Sequence, residues 1–323
     1  MYNEGAARDT ETQAQVGKAI VKPRALRPGD TVGVVAPAAA VDREYLERGV
    51  AALTAMGYRV KVSRHALDRR GILAGDDQVR AAELAAFFAD TEVQAIFAAR
   101  GGYGCGRLLP LIDFKAMVRT PKIFMGFSDE TYLLNAIVDQ CGMVSFHGPM
   151  VAMDFARGVN GAARTHLARM LAGEGSGCAL AAETVVRPGT ARGVLIGGCL
   201  SVIVAMIGTP WEPDFTGRIL FLEDTGEKAY RVDRMMTQLR QAGVLRRAAG
   251  IVFGAIHPVN GNAAEHALIS EFIAGQTADL DCPVLSGIEA GHGTENFVLP
   301  LGLEAQVDTA ARRLVFTESA VTA

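Results

Sequence analysis

Along this chain, short runs that are apolar at every position alternate with longer stretches whose apolar residues recur at helical spacing. Val32 to Ala36 is the first all-apolar run, entered through the turn Pro28-Gly29-Asp30 and followed by a loop that Pro37 opens. Tyr45, Leu46, Val50, Leu53 and Met56 then share one helical face, beginning near Asp42 and stopping at Gly57. The alternation continues: a strand from Tyr58 to Val62, a helix from Asp77 to about Phe88, and a strand from Ala95 to Ala99. After the glycine-rich turn Gly101-Gly102-Tyr103-Gly104 come a strand from Ile123 to Phe127 and a helix from Glu130 to Gln140, ended by Gly142. Strands that are apolar throughout and separated by amphipathic helices predict a parallel sheet covered on both faces. The first half therefore reads as doubly wound α/β.

The pattern weakens over 157–189, where Gly, Ala, Arg and Thr dominate around a helix at Leu167 to Leu171. It resumes with GVLIGGCLSVIVAM and RILFLED, a helix from Ala229 to Ala242, a strand from Ile251 to Ile256, a helix from Ala263 to Ala274 and a strand from Val284 to Ile288. The expected organisation is a disordered leader over 1–24, an α/β domain over 25–156, a linker over 157–189 and a second domain over 190–323. No fixed-period repeat interrupts it.

Composition narrows the function classes. The 323 residues carry 32 Lys+Arg against 35 Asp+Glu, a formal net charge of −3, with no dense basic block of the kind a nucleic-acid partner demands. The first twenty residues are polar and lack the apolar core of a secretory signal. No stretch approaches the roughly 18 consecutive apolar residues of a spanning helix. A cytoplasmic location and no membrane partner are expected. Cys105, Cys141, Cys178, Cys199 and Cys282 are scattered without a CxxC pair, fitting neither a disulfide framework nor a zinc site.

Four segments could carry chemistry. Met125-Gly126-Phe127-Ser128-Asp129-Glu130-Thr131 stands where an apolar strand meets a helix. A serine there projects its hydroxyl at the carboxyl edge of a parallel sheet, and the next amide lies at the positive end of the helix, where an oxyanion could sit. Glu130 occupies the place of the last glycine in G-x-S-x-G, and Ser128 or Asp129 could equally cap the helix. Ala99-Arg100-Gly101-Gly102-Tyr103-Gly104 offers backbone N–H groups to an anion, but lacks the spacing of a dinucleotide or phosphate loop. Glu223, in Leu222-Glu223-Asp224-Thr225-Gly226-Glu227, ends an apolar strand where it could orient a histidine or lie in a solvated turn; Glu227 leads into the next helix. Of the 6 histidines, His292 between Gly291 and Gly293 is the most open. His65, His166 and His266 stand in polar or helical contexts, His257 precedes a proline, and His147 reads as a packed, hydrogen-bonded ring. Ser128, Glu223 and His292 thus fall in the order nucleophile, acid, base, a serine hydrolase constellation split between the two halves.

At these residues the sequence resembles the LD-carboxypeptidase family of serine peptidases, which includes murein tetrapeptide carboxypeptidases and microcin C immunity peptidases. The resemblance runs from about Leu26 to Phe316, through PGDTVGVVAP (28–37), LAGDDQVRAAEL (73–84), ARGGYGCGRLLP (99–110), GFSDETYLL (126–134), FHGPM (146–150), GVLIGGCLS (193–201), ILFLEDTGEKAYRVDRMM (219–236) and GHGTENFVLPLG (291–302). It implies a flavodoxin-like parallel-sheet N-terminal domain, a smaller swivelling β-rich α/β C-terminal domain, and a homodimer without metal or organic cofactor. The family's nucleophile falls on Ser128, its acid on Glu223 and its base on His292, with oxyanion donors from the Gly101 and Gly102 backbone and the Asp129 amide. Two positions depart from the pattern: Ala38 and Ala39 replace small hydroxyl residues, and Cys199 replaces an asparagine. The implied activity is a carboxypeptidase cutting the L,D bond to the terminal D-alanine of murein tetrapeptides in peptidoglycan recycling. Arg100, Arg231 and Arg234 are candidates for the substrate carboxylate. The competing readings are an immunity peptidase cleaving peptidyl or aminoacyl nucleotides, for which Trp211 is the one tryptophan, and a non-catalytic small-molecule binding protein.

Overall fold

The computed structural model describes residues 20–323 except Asn160 and Asn260. The first half is built from β1 (Thr31–Val35), α1 (Arg43–Ala55), β2 (Arg59–Val62), α2 (Asp77–Ala89), β3 (Ala95–Ala98), the short α3 (Phe114–Met117), β4 (Ile123–Gly126), α4 (Thr131–Cys141) and β5 (Ser145–His147). β1, β3, β4 and β5 are buried at every position, as strands sandwiched between helices must be. Asp42 caps α1 by accepting from the Glu44 and Tyr45 amides, and Asp76 caps α2 by accepting from Gln78. The parallel order β2-β1-β3-β4-β5 is the flavodoxin-like winding, with its topological switch between β1 and β3.

The second half adds α5 (Gly161–Ala172), β6 (Ala179–Ala181), β7 (Thr184–Arg187), β8 (Thr190–Cys199), α6 (Leu200–Met206), β9 (Ile219–Glu227), α7 (Ala229–Gln241), α8 (Val244–Arg247), β10 (Gly250–Pro258), α9 (Ala263–Thr277), β11 (Val284–Ile288), β12 (Leu299–Leu301), β13 (Glu304–Asp308) and β14 (Arg313–Phe316). Eight strands form its sheet in the order β6-β14-β13-β8-β9-β10-β11-β7, parallel from β8 to β11 and antiparallel towards both edges.

Three features depart from the expected segmentation. Residues 1–19 of the expected leader lie outside the described residues, while the part that follows is tied down: Val21 bridges Met143 and Arg24 bridges Thr322. The stretch 157–189, expected as a linker, holds α5 together with β6 and β7, which end the second sheet on its two sides. β12, from the second half of the chain, pairs antiparallel with β5 and so completes the first sheet. Leu299 and Leu301 are fully buried there, which explains why so short an apolar segment, masked by Pro300, makes a strand.

Candidate active site

The turn after β4 holds Ser128 at φ 65°, one of two non-glycine residues with positive φ among those described. A left-handed backbone costs a residue bearing a Cβ about 1–2 kcal/mol and persists only where the surroundings impose it. Neither residue suspected of capping α4 does so. No side-chain cap bond is made at Phe127 or Glu130, and the Asp129 carboxylate instead accepts from the Cys105 amide at 2.7 Å. Asp129 therefore pins the glycine-rich loop against the serine turn. Gly101 lies so close that a Cβ there would come within 2.8 Å of Ser128 Cβ and 3.0 Å of its Oγ. Gly102 has φ +114°, and a Cβ on it would meet Ala39. Both glycines are thus obligatory for the close approach, and they bring the loop's backbone beside the serine hydroxyl.

Glu130 fills the space left by Gly126 and Gly101, and is wholly buried with both carboxyl oxygens unpartnered. Burial, and then the neighbouring Asp129 carboxylate, push it well above the ordinary carboxylate range, with Arg100 opposing only in part. Burial of both oxygens without a partner disfavours the charged form of Glu130. The sequence marked this position only as a missing glycine.

Glu223, fully buried on β9, faces the loop after β11. Its Oε2 accepts from the His292 backbone N–H at 3.1 Å and lies 2.7 Å from His292 Nδ1. Gly291, at φ +91°, makes this possible, since any Cβ there would collide with the Glu223 carboxylate. Asn296 secures the loop by accepting from the Gly291 amide at 2.9 Å. Burial opposes charge on both partners, but each is overruled. The facing histidines hold the Glu223 carboxyl at about 2, and Glu223, aided by Asp224 and Asp154, raises His292 above its usual value. The His292 ring packs edge-on against Phe127, the residue before Ser128, with centroids 4.8 Å apart. The structure thus brings the expected acid and base into contact and sets them against the serine turn. Among the described residues, Ser128 Oγ has no hydrogen-bond partner, so the serine–histidine bond itself is open here.

His147 is packed as expected, fully buried and edge-on to Phe221, but neither ring nitrogen is hydrogen-bonded. Its Nε2 stands 3.7 Å from Glu223 Oε1, beyond hydrogen-bond reach yet close enough to act on the carboxylate electrostatically. The sequence carried no local signal for this placement, because β5 is short and specified by partners distant in the chain. Of the candidate arginines, Arg231 pairs with Glu227 at 3.5 Å and Arg234 lies over the Tyr230 ring. Arg100, half-buried next to Gly101, keeps a buried Nε without a partner.

Two family models match, described as the LD-carboxypeptidase N-terminal domain over residues 32–148 and the LD-carboxypeptidase C-terminal domain over 192–307. A probable murein peptide carboxypeptidase of Bacillus subtilis is 37% identical over 298 residues, covering 91% of this chain and 93% of that one. The microcin C7 self-immunity protein MccF of Escherichia coli is 24% identical, covering 91% of this chain and 94% of its own. Among solved structures, the muramoyltetrapeptide carboxypeptidase from Oxalobacter formigenes superposes with a TM-score of 0.79 at 29% identity, covering 90% of this chain and 99% of that one. With both halves matched in order and this degree of likeness along nearly the whole chain, the protein belongs to the LD-carboxypeptidase family of serine-type peptidases.

Proposed function

We propose that the protein is a carboxypeptidase that removes the terminal D-alanine from the L,D bond of murein tetrapeptides, working in the cytoplasm in peptidoglycan recycling. The observation that carries this reading is the pair of buried Glu223 and half-buried His292 at 2.7 Å, set beside a serine held in the left-handed region against Gly101. Because Nδ1 is committed to Glu223, Nε2 is the nitrogen left to take the Ser128 proton. Ser128 Oγ attacks the carbonyl carbon, and the amides of Gly101, Gly102 and Asp129 receive the oxyanion. His292 then gives its proton to the departing amine of D-alanine. Water, activated by the same ring, hydrolyses the acyl-enzyme. Serine–histidine contacts of this kind commonly tighten only when substrate is bound, which suits the open bond described above.

The likeness to relatives named for murein peptides, at higher identity than the MccF relative, favours this substrate over aminoacyl nucleotides. Trp211 also argues against an adenine platform, since its ring packs against Phe114 at 5.6 Å. Among the described residues no helix is long and apolar enough to cross a membrane. Incubation with murein tetrapeptide and, separately, an aminoacyl sulfamoyl adenylate, followed by mass spectrometry, tests the reading. Release of D-alanine from the first is expected, and cleavage of the second alone would replace it with the immunity-type activity. A homodimer, which the family resemblance implies, is checked by light scattering.

A further inference from the structure

Glu223 meets His292 through one oxygen only. Its Oε2 accepts from the His292 backbone N–H and lies against Nδ1, while the buried Oε1 has no hydrogen-bond partner among the described residues. The group that faces Oε1 is a second histidine, from the other sheet. His147 ends β5 opposite Gly126 of β4 and Leu299 of β12, is wholly buried, and leaves both ring nitrogens unbonded among the described residues. Its Nε2 stands 3.7 Å from Oε1. Its ring packs against Phe127, with centroids 5.7 Å apart, and edge-on against Phe221 at 5.1 Å. Phe127 also packs on His292, so the two imidazoles share one phenyl ring and face different oxygens of one carboxylate.

We propose that His147 is a positioning residue for the acid: its Nε2–H donates to Glu223 Oε1, so that the carboxylate is held from both sheets, Oε2 by His292 and Oε1 by His147. The inference rests on the peptidase reading and deepens it. Two buried polar atoms of complementary kind face each other, and bringing them closer by about 1 Å makes a hydrogen bond that satisfies both. The carboxylate demands the proton on Nε2, because a bare nitrogen there would set two acceptors against each other in a buried site. The consequence reaches His292. A carboxylate fixed at one oxygen can still turn about its terminal torsion, which is broad in glutamate. Held at both oxygens, it fixes the plane of the imidazole and so the direction in which His292 Nε2 meets Ser128.

The test joins kinetics to a spectroscopic probe of the whole enzyme. His147→Phe should lower kcat for D-alanine release from murein tetrapeptide by about tenfold or more with little change in KM, since no contact with substrate is lost. His147→Gln, whose side-chain amide can place a donor where Nε2 stood, should recover most of that loss. In a Glu223→Gln background, His147→Phe should cost little further, because the carboxylate it positions is already gone, whereas a merely structural role would cost the same in both backgrounds. Independently of turnover, magnetic resonance of the enzyme carrying isotope-labelled histidine should show the His147 proton on Nε2. Glu223→Gln should move that proton's resonance upfield, as a neutral acceptor replaces a charged one. Parent kcat in His147→Phe, equal losses in the two backgrounds, or a His147 ring with its proton on Nδ1 and Nε2 bare overturns the proposal and leaves the peptidase reading standing. A parent enzyme that releases no D-alanine removes the peptidase reading instead, and the Nε2–H resonance with its response to Glu223→Gln then decides the contact.

Discussion

Ser128 joins a reactive hydroxyl to a backbone conformation that only glycine adopts cheaply, and the two properties separate by substitution. Ser128→Ala and Ser128→Gly should both lose turnover by several orders of magnitude, because each removes the proposed nucleophile. Their stabilities should differ. Glycine relieves the left-handed strain that alanine keeps, so Ser128→Gly should be the more stable by about 1 kcal/mol in urea denaturation. Turnover within about tenfold of the parent in Ser128→Ala would remove the serine from the mechanism. At His292 the charge of Glu223 gives a second residue-level expectation. The ring acts as a base only when neutral, and it is raised above its ordinary 6.5, so kcat/KM should fall with decreasing pH through a midpoint above that value. The matching stability terms have opposite directions. The low-lying Glu223 carboxyl stabilises the fold above its ordinary 4.5, and that contribution is lost as pH falls towards about 2. The raised His292 stabilises below 6.5, and its contribution is lost as pH rises through the folded-state value. A pH–rate profile whose acid limb lies below 6 would contradict the pairing.

At the scale of elements, β9 separates the two candidate acids. Glu223 sits within the fully buried part of the strand and is bonded to His292, whereas Glu227 ends the strand beside Arg231 on the first turn of α7. Glu223→Gln should lower kcat by about 10²- to 10⁴-fold by disturbing the imidazole, and Glu227→Gln should be mild. The reverse ranking in a steady-state assay would exchange their roles. The strand–helix alternation of the first half was legible because β3, β4 and Val32 to Val35 of β1 carry no polar side chain and the helices between them are amphipathic. Val284 to Ile288 even matches β11 end to end. β5 and β12 escaped notice because each is only three residues long and is specified by partners distant in sequence. The same distance hid the surroundings of the site. Ser128, Glu223 and His292 could be singled out from strand ends. That Asp129 would hold Cys105, that Glu130 would lie buried without a partner, and that His147 would face Glu223 all depend on contacts between segments no local pattern connects.

For the whole molecule, the question is how the proposed nucleophile on one sheet is kept in register with the proposed acid and base on the other. The helix that begins three residues after Ser128 is bolted to the second sheet. Thr131 Oγ1 accepts from the Cys199 amide at 3.0 Å, and Asn135 exchanges two hydrogen bonds with Gly197, accepting from its N–H at 3.0 Å and donating to its carbonyl at 2.9 Å. Gly198, at φ +137°, allows the approach, since a Cβ there would run into Thr131. β8 in turn pairs with β9 so that Cys199 stands opposite Glu223. A short chain of rigid contacts thus leads from the serine turn through α4 and β8 to the acid. Asn135→Ala breaks its middle link and leaves the buried Gly197 N–H and carbonyl unpaired. At about 1–3 kcal/mol per stranded group, the fold should lose roughly 2–6 kcal/mol in chemical denaturation. If this link also sets the geometry between the halves, kcat should fall about tenfold or more under conditions where the variant remains folded, because misplacing a reacting group by about 1 Å costs up to about 10²-fold. A variant destabilised to this extent but with the parent's kcat would show that Asn135 serves stability alone, and that the register of Ser128 with Glu223 and His292 is fixed elsewhere, at the Phe127–His292 contact.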